Sequence, residues 1–167
     1  RPAPTWPVAA ATPAQIQPFI QSIGLFRNKA KHVHAAMIRL TTDFHGQVPA
    51  AMPDLLSLPG VARKTANVVL GNAFGLNMGF VVDTHIARLS VRFRLAPAAA
   101  NVATIEKRLM ALFDRGLWTK LSHQIIWHGR AVCRARGWLC EQDSICQEFC
   151  VNGNNGDTAP ERDSERG

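Results

Sequence analysis

A lysine and the turn in front of it have the residue types needed for chemistry on a phosphate-bearing substrate. Lys64 follows Leu58-Pro59-Gly60-Val61-Ala62, which predicts two short helices joined by a tight turn. The backbone N–H groups of such a turn, with the positive end of the second helix dipole, form a seat for a phosphate. A plain connection between helices uses the same residues. Arg63 and Lys64, directly behind the turn, favour the phosphate site.

Lys64 is also a candidate nucleophile. An amine at a helix N-terminus meets the unfavourable end of the dipole, and partial burial adds a desolvation cost, so both effects favour the neutral form. A neutral lysine forms a Schiff base with an aldehyde-like carbon, and in DNA that carbon is C1′ of a deoxyribose. A second lysine that pairs with phosphate remains an equal alternative.

Asp83 is the carboxylate candidate, in the segment Val-Val-Asp-Thr-His. Its plain role is the N-cap of the following helix. Its functional role would be to face Lys64, help to deprotonate the amine or a water, and stabilise positive charge as a glycosidic bond breaks. One carboxylate can serve in both roles.

All the cysteines of the chain, Cys133, Cys140, Cys146 and Cys150, fall within one short segment. Disulfide frameworks spread their cysteines through a small secreted chain, whereas one late cluster is typical of a metal or iron-sulfur site. We therefore favour a metal centre over two disulfides.

The charge balance favours a polyanionic partner. Lys and Arg outnumber Asp and Glu by 19 to 12, and the last 17 residues hold four of the acids and two of the bases. Residues 1–150 therefore carry 17 bases and 8 acids, which favours nucleic acid over a merely solvated surface. No apolar run approaches the roughly 20 residues that cross a bilayer, so we expect a soluble protein with no membrane partner.

The elements that must position these residues are helices almost throughout, so the predicted fold class is all-α. Capping and stop signals predict helices that begin after Thr12, Asn28, Asp83 or Thr84, and Asn101, with further helices over about 52–57, 62–74 and 119–133. We expect one helical subdomain over 1–76 and a second over 77–150. The acidic segment 151–167 has few apolar residues to bury and is predicted to be a disordered tail.

The hairpin segment, Val-Asp-Thr-His, His-Gly-Arg-Ala-Val-Cys and the four-cysteine loop together resemble the endonuclease III family of helix-hairpin-helix DNA glycosylases and abasic-site lyases. The resemblance runs from about residue 20 to residue 150. It implies two helical subdomains with a cleft between them. It also implies removal of oxidised pyrimidines from duplex DNA and cleavage 3′ to the abasic site by β-elimination. A monomer acting on duplexes with damaged pyrimidines or abasic sites is expected, in the cytoplasm or nucleoid if the source is bacterial.

The resemblance also implies roles for single residues. Lys64 matches the Schiff-base lysine, which the family's monofunctional adenine-removing relatives lack, and Asp83 matches the catalytic aspartate. Leu25 matches a residue that wedges into the duplex beside the extruded base. For His85, DNA contact and helix packing are equally open. The expected DNA contacts are Leu25, Leu58, Pro59, Gly60, Val61, Ala62, Arg63, His85, Arg134 and Arg136.

Three departures from the family pattern bear on these expectations. Ala62 replaces the second glycine of Leu-Pro-Gly-Val-Gly, which costs nothing if the residue is at helical position N1 or N2, as we expect. The cysteine spacing is C-x6-C-x5-C-x3-C instead of C-x6-C-x2-C-x5-C, with Asp143 and Phe149 at the family's last two ligand positions. A [4Fe-4S] cluster is the first expectation, followed by zinc or no metal.

The third departure is the beginning of the chain, which has no initiator methionine and lacks helices that the family carries there. Targeting therefore cannot be inferred. A catalytically impaired DNA-binding module is the alternative to the enzyme. A metal-dependent interaction protein that uses the cysteine loop as its binding surface is a third hypothesis.

Overall fold

All regular secondary structure is helical in the part of the chain that a computed structural model describes, residues 7–151 without the side chain of Val8. No strand occurs in that part, so the all-α prediction is confirmed. Two single turns of 3-10 helix lie at Arg115–Leu117 and Cys140–Gln142. The α-helices are α1 Pro7–Ala10, α2 Pro13–Ile20, α3 Phe26–Asp43, α4 Met52–Ser57, α5 Arg63–Phe74, α6 Thr84–Arg92, α7 Val102–Leu112, α8 Trp118–Ala131 and α9 Ser144–Phe149.

The chain divides into two compact units between Met78 and Gly79, two residues beyond the predicted boundary at 76. The predicted tail at 151–167 lies, apart from its first residue, outside the described residues. None of the described helices is long and apolar enough to cross a membrane.

The core of the first unit lies among α3, α4 and α5. Its fully buried centre includes Leu55, Ala66 and Leu70. The Arg39 guanidinium donates a hydrogen bond to the Ser57 carbonyl and so ties α3 to the end of α4. Burial of these apolar side chains fixes the two helices that flank the turn.

Side-chain caps set three helix starts, those of α2, α6 and α7, where the sequence predicts them. Thr12 and Gln15 form a reciprocal capping box at α2, and Asn101 caps α7 through the Thr104 amide. The start of α3 was predicted wrongly: its N-cap is Leu25 in a left-handed conformation, with φ of 59°, instead of Asn28. That start has no side-chain cap, which explains why no capping signal marks it.

The core of the second unit surrounds the segment that precedes Asp83. Phe80 and Val82 pack with Ile86, Ile105 and Leu109. The Val81 N–H donates to the Ser122 hydroxyl at 3.1 Å, so this extended segment is held by a side chain of α8. Its buried residues fix where Asp83 stands at the start of α6.

Candidate nucleic-acid interface and metal centre

The turn between α4 and α5 is closed by its own backbone. The Val61 N–H donates to the Leu58 carbonyl at 3.1 Å, and Gly60 adopts a φ of 77° that favours glycine. The Leu58 side chain is buried in the core, whereas Gly60 is exposed and Pro59 half-buried. The sequence alone does not show that the buried Leu58 side chain attaches the turn to the core of the first unit.

The place of Ala62 in α5 differs by one residue from the expected N1 position. The residue is the N-cap of α5 with φ of −91° and ψ of 170°, not a helical N1 or N2 residue. Its negative φ means that the alanine carries no left-handed strain, so the expected absence of a cost holds for a different reason. Ala62 makes no side-chain cap, so no N-cap side chain covers the first amide groups of α5. That arrangement suits an external anion such as a phosphate.

One further side chain supports the turn. A Cβ added to Gly60 would lie 2.7 Å from the Cβ of His32, so His32 of α3 packs directly against the glycine. A substitution at Gly60 would therefore meet both backbone strain and a steric clash.

Lys64 is the second residue of α5 and belongs to the first unit. Its side chain is exposed, so the partial burial expected from the sequence was wrong. Asp83 belongs to the second unit and caps α6, with Oδ1 accepting from the Ile86 N–H at 2.9 Å. The half-buried carboxylate thus has the plain role that its sequence position predicts.

The four cysteines meet in the second unit. All four are buried at 0% exposure, and their Sγ atoms lie within 4.8 Å of one another. Cys146 in α9 and Cys150 at its C-cap are four residues apart, which brings both side chains to one face of the helix. The unusual spacing is therefore compensated by a helix in the loop.

Asp143 stands where the family pattern has its third ligand, and it has another task here. Its Oδ1 accepts from the Cys146 N–H at 2.9 Å and caps α9. The same oxygen lies 3.9 Å from Nε2 of His128. In this chain the family's third ligand position, 143, therefore holds a helix-capping aspartate, and the third cysteine stands at position 146 instead.

The electrostatics of the cluster fit a bound cation. Burial raises the pKa of the Cys140 thiol to about 12 and also raises the pKa of Cys146. Four thiolates in such a place need a positive partner, and four buried sulfurs are the donor set that zinc and iron-sulfur clusters take. The residues present are therefore consistent with a metal centre.

Comparison with known proteins establishes the family. Residues 7–115 match HhH-GPD, the superfamily of base excision DNA repair proteins. The chain belongs to the HhH-GPD superfamily. The match covers the turn, Lys64 and Asp83, and it ends before the first cysteine.

Individual relatives support this HhH-GPD assignment. Endonuclease III of Synechocystis sp. is 51% identical over 126 residues, 75% of this chain and 57% of the relative. Endonuclease III of Bacillus subtilis is 39% identical over 137 residues, 80% of this chain and 62% of the relative. The chain thus spans about three fifths of the length of these relatives.

Two solved structures share the fold of this HhH-GPD chain. They are a non-covalent endonuclease III–DNA complex and a trapped endonuclease III–DNA covalent intermediate. Each has a TM-score of 0.82 at 35% identity, over 88% of this chain and 68% of that one. The helix-hairpin-helix fold expected from the resemblance is confirmed.

The remaining residues expected to contact DNA lie mostly at the surface. Leu25 is 77% exposed at the start of α3, and Arg63, Arg134 and Arg136 are exposed. His85 is half-buried, and its Cβ lies 3.2 Å from where a Cβ on Gly129 of α8 would stand. That contact favours the helix-packing alternative for His85.

Two arginines of α6 were missed by the sequence analysis. Arg88 donates to the carbonyls of Gly129 at 2.8 Å and Cys133 at 3.0 Å. Arg92 donates to Cys133 Sγ at 3.1 Å and to the Arg134 carbonyl at 2.7 Å. Their four-residue spacing predicts that both lie on one face of α6, but their partners lie at least 41 positions further along the chain, and no signal in the sequence identifies them.

Proposed function

We propose that this chain is a bifunctional DNA glycosylase and abasic-site lyase that removes oxidised pyrimidines from duplex DNA. The observation that carries the proposal is Lys64, an exposed amine in the first turn of α5 directly behind an uncapped turn. Membership of a base excision repair superfamily supports this, as does the likeness to an endonuclease III trapped covalently on DNA.

In the proposed reaction the turn at residues 58–62 holds a backbone phosphate and Leu25 fills space beside the extruded nucleotide. The Lys64 amine attacks C1′, the glycosidic bond breaks, and the base leaves with the bonding electrons. Asp83 accepts a proton from the amine and stabilises positive charge on the sugar. The C1′–O4′ bond of the resulting aminal then breaks, O4′ takes up a proton, and C1′ and the lysine nitrogen form the Schiff base. Loss of a C2′ proton from this Schiff base expels the 3′ phosphate by β-elimination. Flipping costs a few kcal/mol, least at a damaged base, which favours lesions.

We propose a [4Fe-4S] cluster as the group held by Cys133, Cys140, Cys146 and Cys150, with zinc as the alternative. The group would supply a structural cross-link that fixes α9 and the basic loop containing Arg134 and Arg136. Iron, sulfide and zinc analysis of the purified protein, together with its visible absorption, distinguishes the two.

Borohydride trapping on a duplex with one abasic site tests the lyase. The unmodified chain should give a covalent protein–DNA adduct, and Lys64→Ala should give none because the attacking amine is gone. Lys107→Ala is the matched control, since Lys107 is an exposed lysine on α7 of the second unit. An adduct that persists in Lys64→Ala would remove the role of this lysine.

The second candidate function is a DNA-binding module without catalysis, which is favoured by Asp83, because its Oδ1 is engaged as the N-cap of α6. It predicts salt-sensitive binding to the abasic duplex with neither adduct nor strand cleavage. The proposed enzyme binds with the same salt dependence and also cleaves. One titration and one trapping reaction on the same duplex therefore separate the two.

A further inference from the structure

His128 lies beside the cysteine centre without being one of its four sulfur ligands. Its Nε2 is 3.2 Å from Cys146 Sγ, and its ring packs against Phe93 with centroids 5.7 Å apart. The side chain is only 12% exposed. The His128 carbonyl accepts from the N–H groups of Val132 and Cys133, so the residue is fixed at the end of α8. Backbone and ring contacts together hold the imidazole in one place.

The neighbours of Nε2 decide which ring nitrogen carries the proton. Besides Cys146 Sγ, Nε2 faces Asp143 Oδ1 at 3.9 Å, and that oxygen already accepts from the Cys146 N–H. A metal-bound thiolate and a carboxylate are both acceptors. A proton on Nε2 therefore gives Cys146 Sγ a hydrogen bond and lies favourably near the carboxylate, whereas a bare lone pair would face two negative groups.

We propose that His128 donates a hydrogen bond from Nε2 to the Cys146 thiolate and is the positioning residue that retains the metal in this centre. The inference rests on the proposed metal centre and holds for iron-sulfur or zinc. Four cysteines already complete the ligand set of either, which leaves His128 to act through Cys146. Partners of metal ligands orient those ligands and tune the metal.

Cys146 needs such a partner because of its position. It is one of the two cysteines displaced from the family spacing, and it belongs to a six-residue helix. A second sulfur of the centre, Cys133 Sγ, receives a hydrogen bond from Arg92 at 3.1 Å. The two side-chain donors thus lie at different sulfurs, and His128 is the one that serves α9.

An apolar pocket of about 610 Å³ offers a competing explanation for the importance of His128. Its lining includes Phe93, Trp127, His128 and Ile145, so the imidazole is part of the wall and also touches Cys146. His128 could then protect the metal merely by filling space. Trp127 lines the same pocket and is 67% exposed, which makes it a suitable control for shielding.

The test compares His128→Phe, His128→Gln and Trp127→Ala with the unchanged chain, all purified with their metal. The rate of metal loss to excess chelator is measured by metal analysis, beside thermal unfolding of each protein. We expect about 10- to 100-fold faster loss from His128→Phe, which keeps a ring but has no donor. His128→Gln, whose amide can donate, should retain metal far better, and Trp127→Ala should match the unchanged chain. If iron-sulfur is bound, His128→Phe should also shift its reduction potential to a more negative value.

Three results would overturn the inference. They are metal retention in His128→Phe equal to that of the unchanged chain, equal loss from Phe and Gln, or equal loss from Trp127→Ala and His128→Phe. The last would assign the effect to shielding. An unchanged chain that purifies without metal overturns the metal centre and His128 together. A metal-loaded chain that fails borohydride trapping overturns the lyase alone.

Discussion

The turn at residues 58–62 is made of five consecutive residues, whereas the cysteine centre takes its sulfur atoms from residues spread between 133 and 150. The turn keeps the family pattern at four of five positions and depends on backbone conformation at each. The cysteine centre departs from the family spacing at two intervals and still brings all four sulfurs within 4.8 Å. A site made of backbone groups constrains its sequence letter by letter, because each residue sets one φ and ψ. A site made of terminal side-chain atoms constrains only the positions of those atoms in space, so a helix such as α9 can take the place of a loop.

The largest effect should come from Cys146→Ala, which removes one sulfur from the centre. We expect loss of the bound metal and of the stability that metal binding adds to the folded state, because binding free energy at such a site is folding free energy. Metal analysis and thermal unfolding measure both. Ile145→Ala is the control, since Ile145 is in the same helix and 50% exposed. Full metal content in Cys146→Ala would show that the shifted cysteine is not a ligand.

Gly60→Ala should give the next largest effect and tests the strictness of the turn. The new side chain meets a φ of 77° and a contact of 2.7 Å with His32 Cβ. We expect a loss of about 1–2 kcal/mol in the free energy of unfolding from the left-handed conformation alone, and weaker binding to duplex DNA. Denaturant unfolding and a binding titration give the two quantities.

Gly75→Ala separates strain from function. Gly75 also has a positive φ of 67° but has no atom within 4 Å of an added Cβ. The variant should lose stability through backbone strain but keep the DNA affinity of the unchanged chain, because Gly75 is at the C-terminal end of α5 and the turn precedes its N-terminal end. Equal loss of DNA affinity in both variants would argue against a special role for the turn.

Asp143→Ala should affect the cysteine centre less than Cys146→Ala does. Asp143 caps α9 by accepting from the Cys146 N–H. Removing such a cap costs about 1 kcal/mol, and metal should be released faster because α9 holds two of the sulfurs. Asp143→Asn keeps an acceptor and should stay near the unchanged chain in unfolding and metal release. Equal behaviour of the Ala and Asn variants would mean that the charge, and not the cap, is what the centre uses.

The sequence predicted the helices whose ends are set by local side chains. Thr12, Asp83 and Asn101 each cap a helix through a hydrogen bond to a residue three positions on, and such signals are visible in the chain itself. The start of α3 was not predictable in this way, because Leu25 begins it by backbone conformation alone. Helix α9 was not predicted, because Asp143-Ser144 is a capping signal but six residues are too few to show a helical period.

In the candidate site, features defined by neighbouring residues were predicted from the sequence, whereas contacts between distant residues were not. The turn, Lys64 and the capping role of Asp83 were predicted because their neighbours in the chain define them. The contacts of Arg92 and His128 with the cysteine sulfurs join residues 41 and 18 positions apart, and no spacing rule announces them. Packing of α6 and α9 against the end of α8 creates those contacts, so they required the folded structure.

Ala62→Gly should have the smallest effect. It restores the family residue at the one position of the turn that departs from Leu-Pro-Gly-Val-Gly, and so tests how strictly the turn constrains its last residue. Ala62 is an N-cap with φ of −91°, a conformation open to both residues. Glycine is the better N-cap, while alanine loses less backbone entropy on folding, and these two effects oppose each other at about 0.5–1 kcal/mol each. We therefore expect the free energy of unfolding to change little and DNA affinity to stay the same. A clear gain in DNA affinity would mean that a phosphate approaches residue 62 closely enough to meet the alanine methyl group. The departure would then weaken the grip of the turn, and the turn would be as strict at its last position as it is at Gly60.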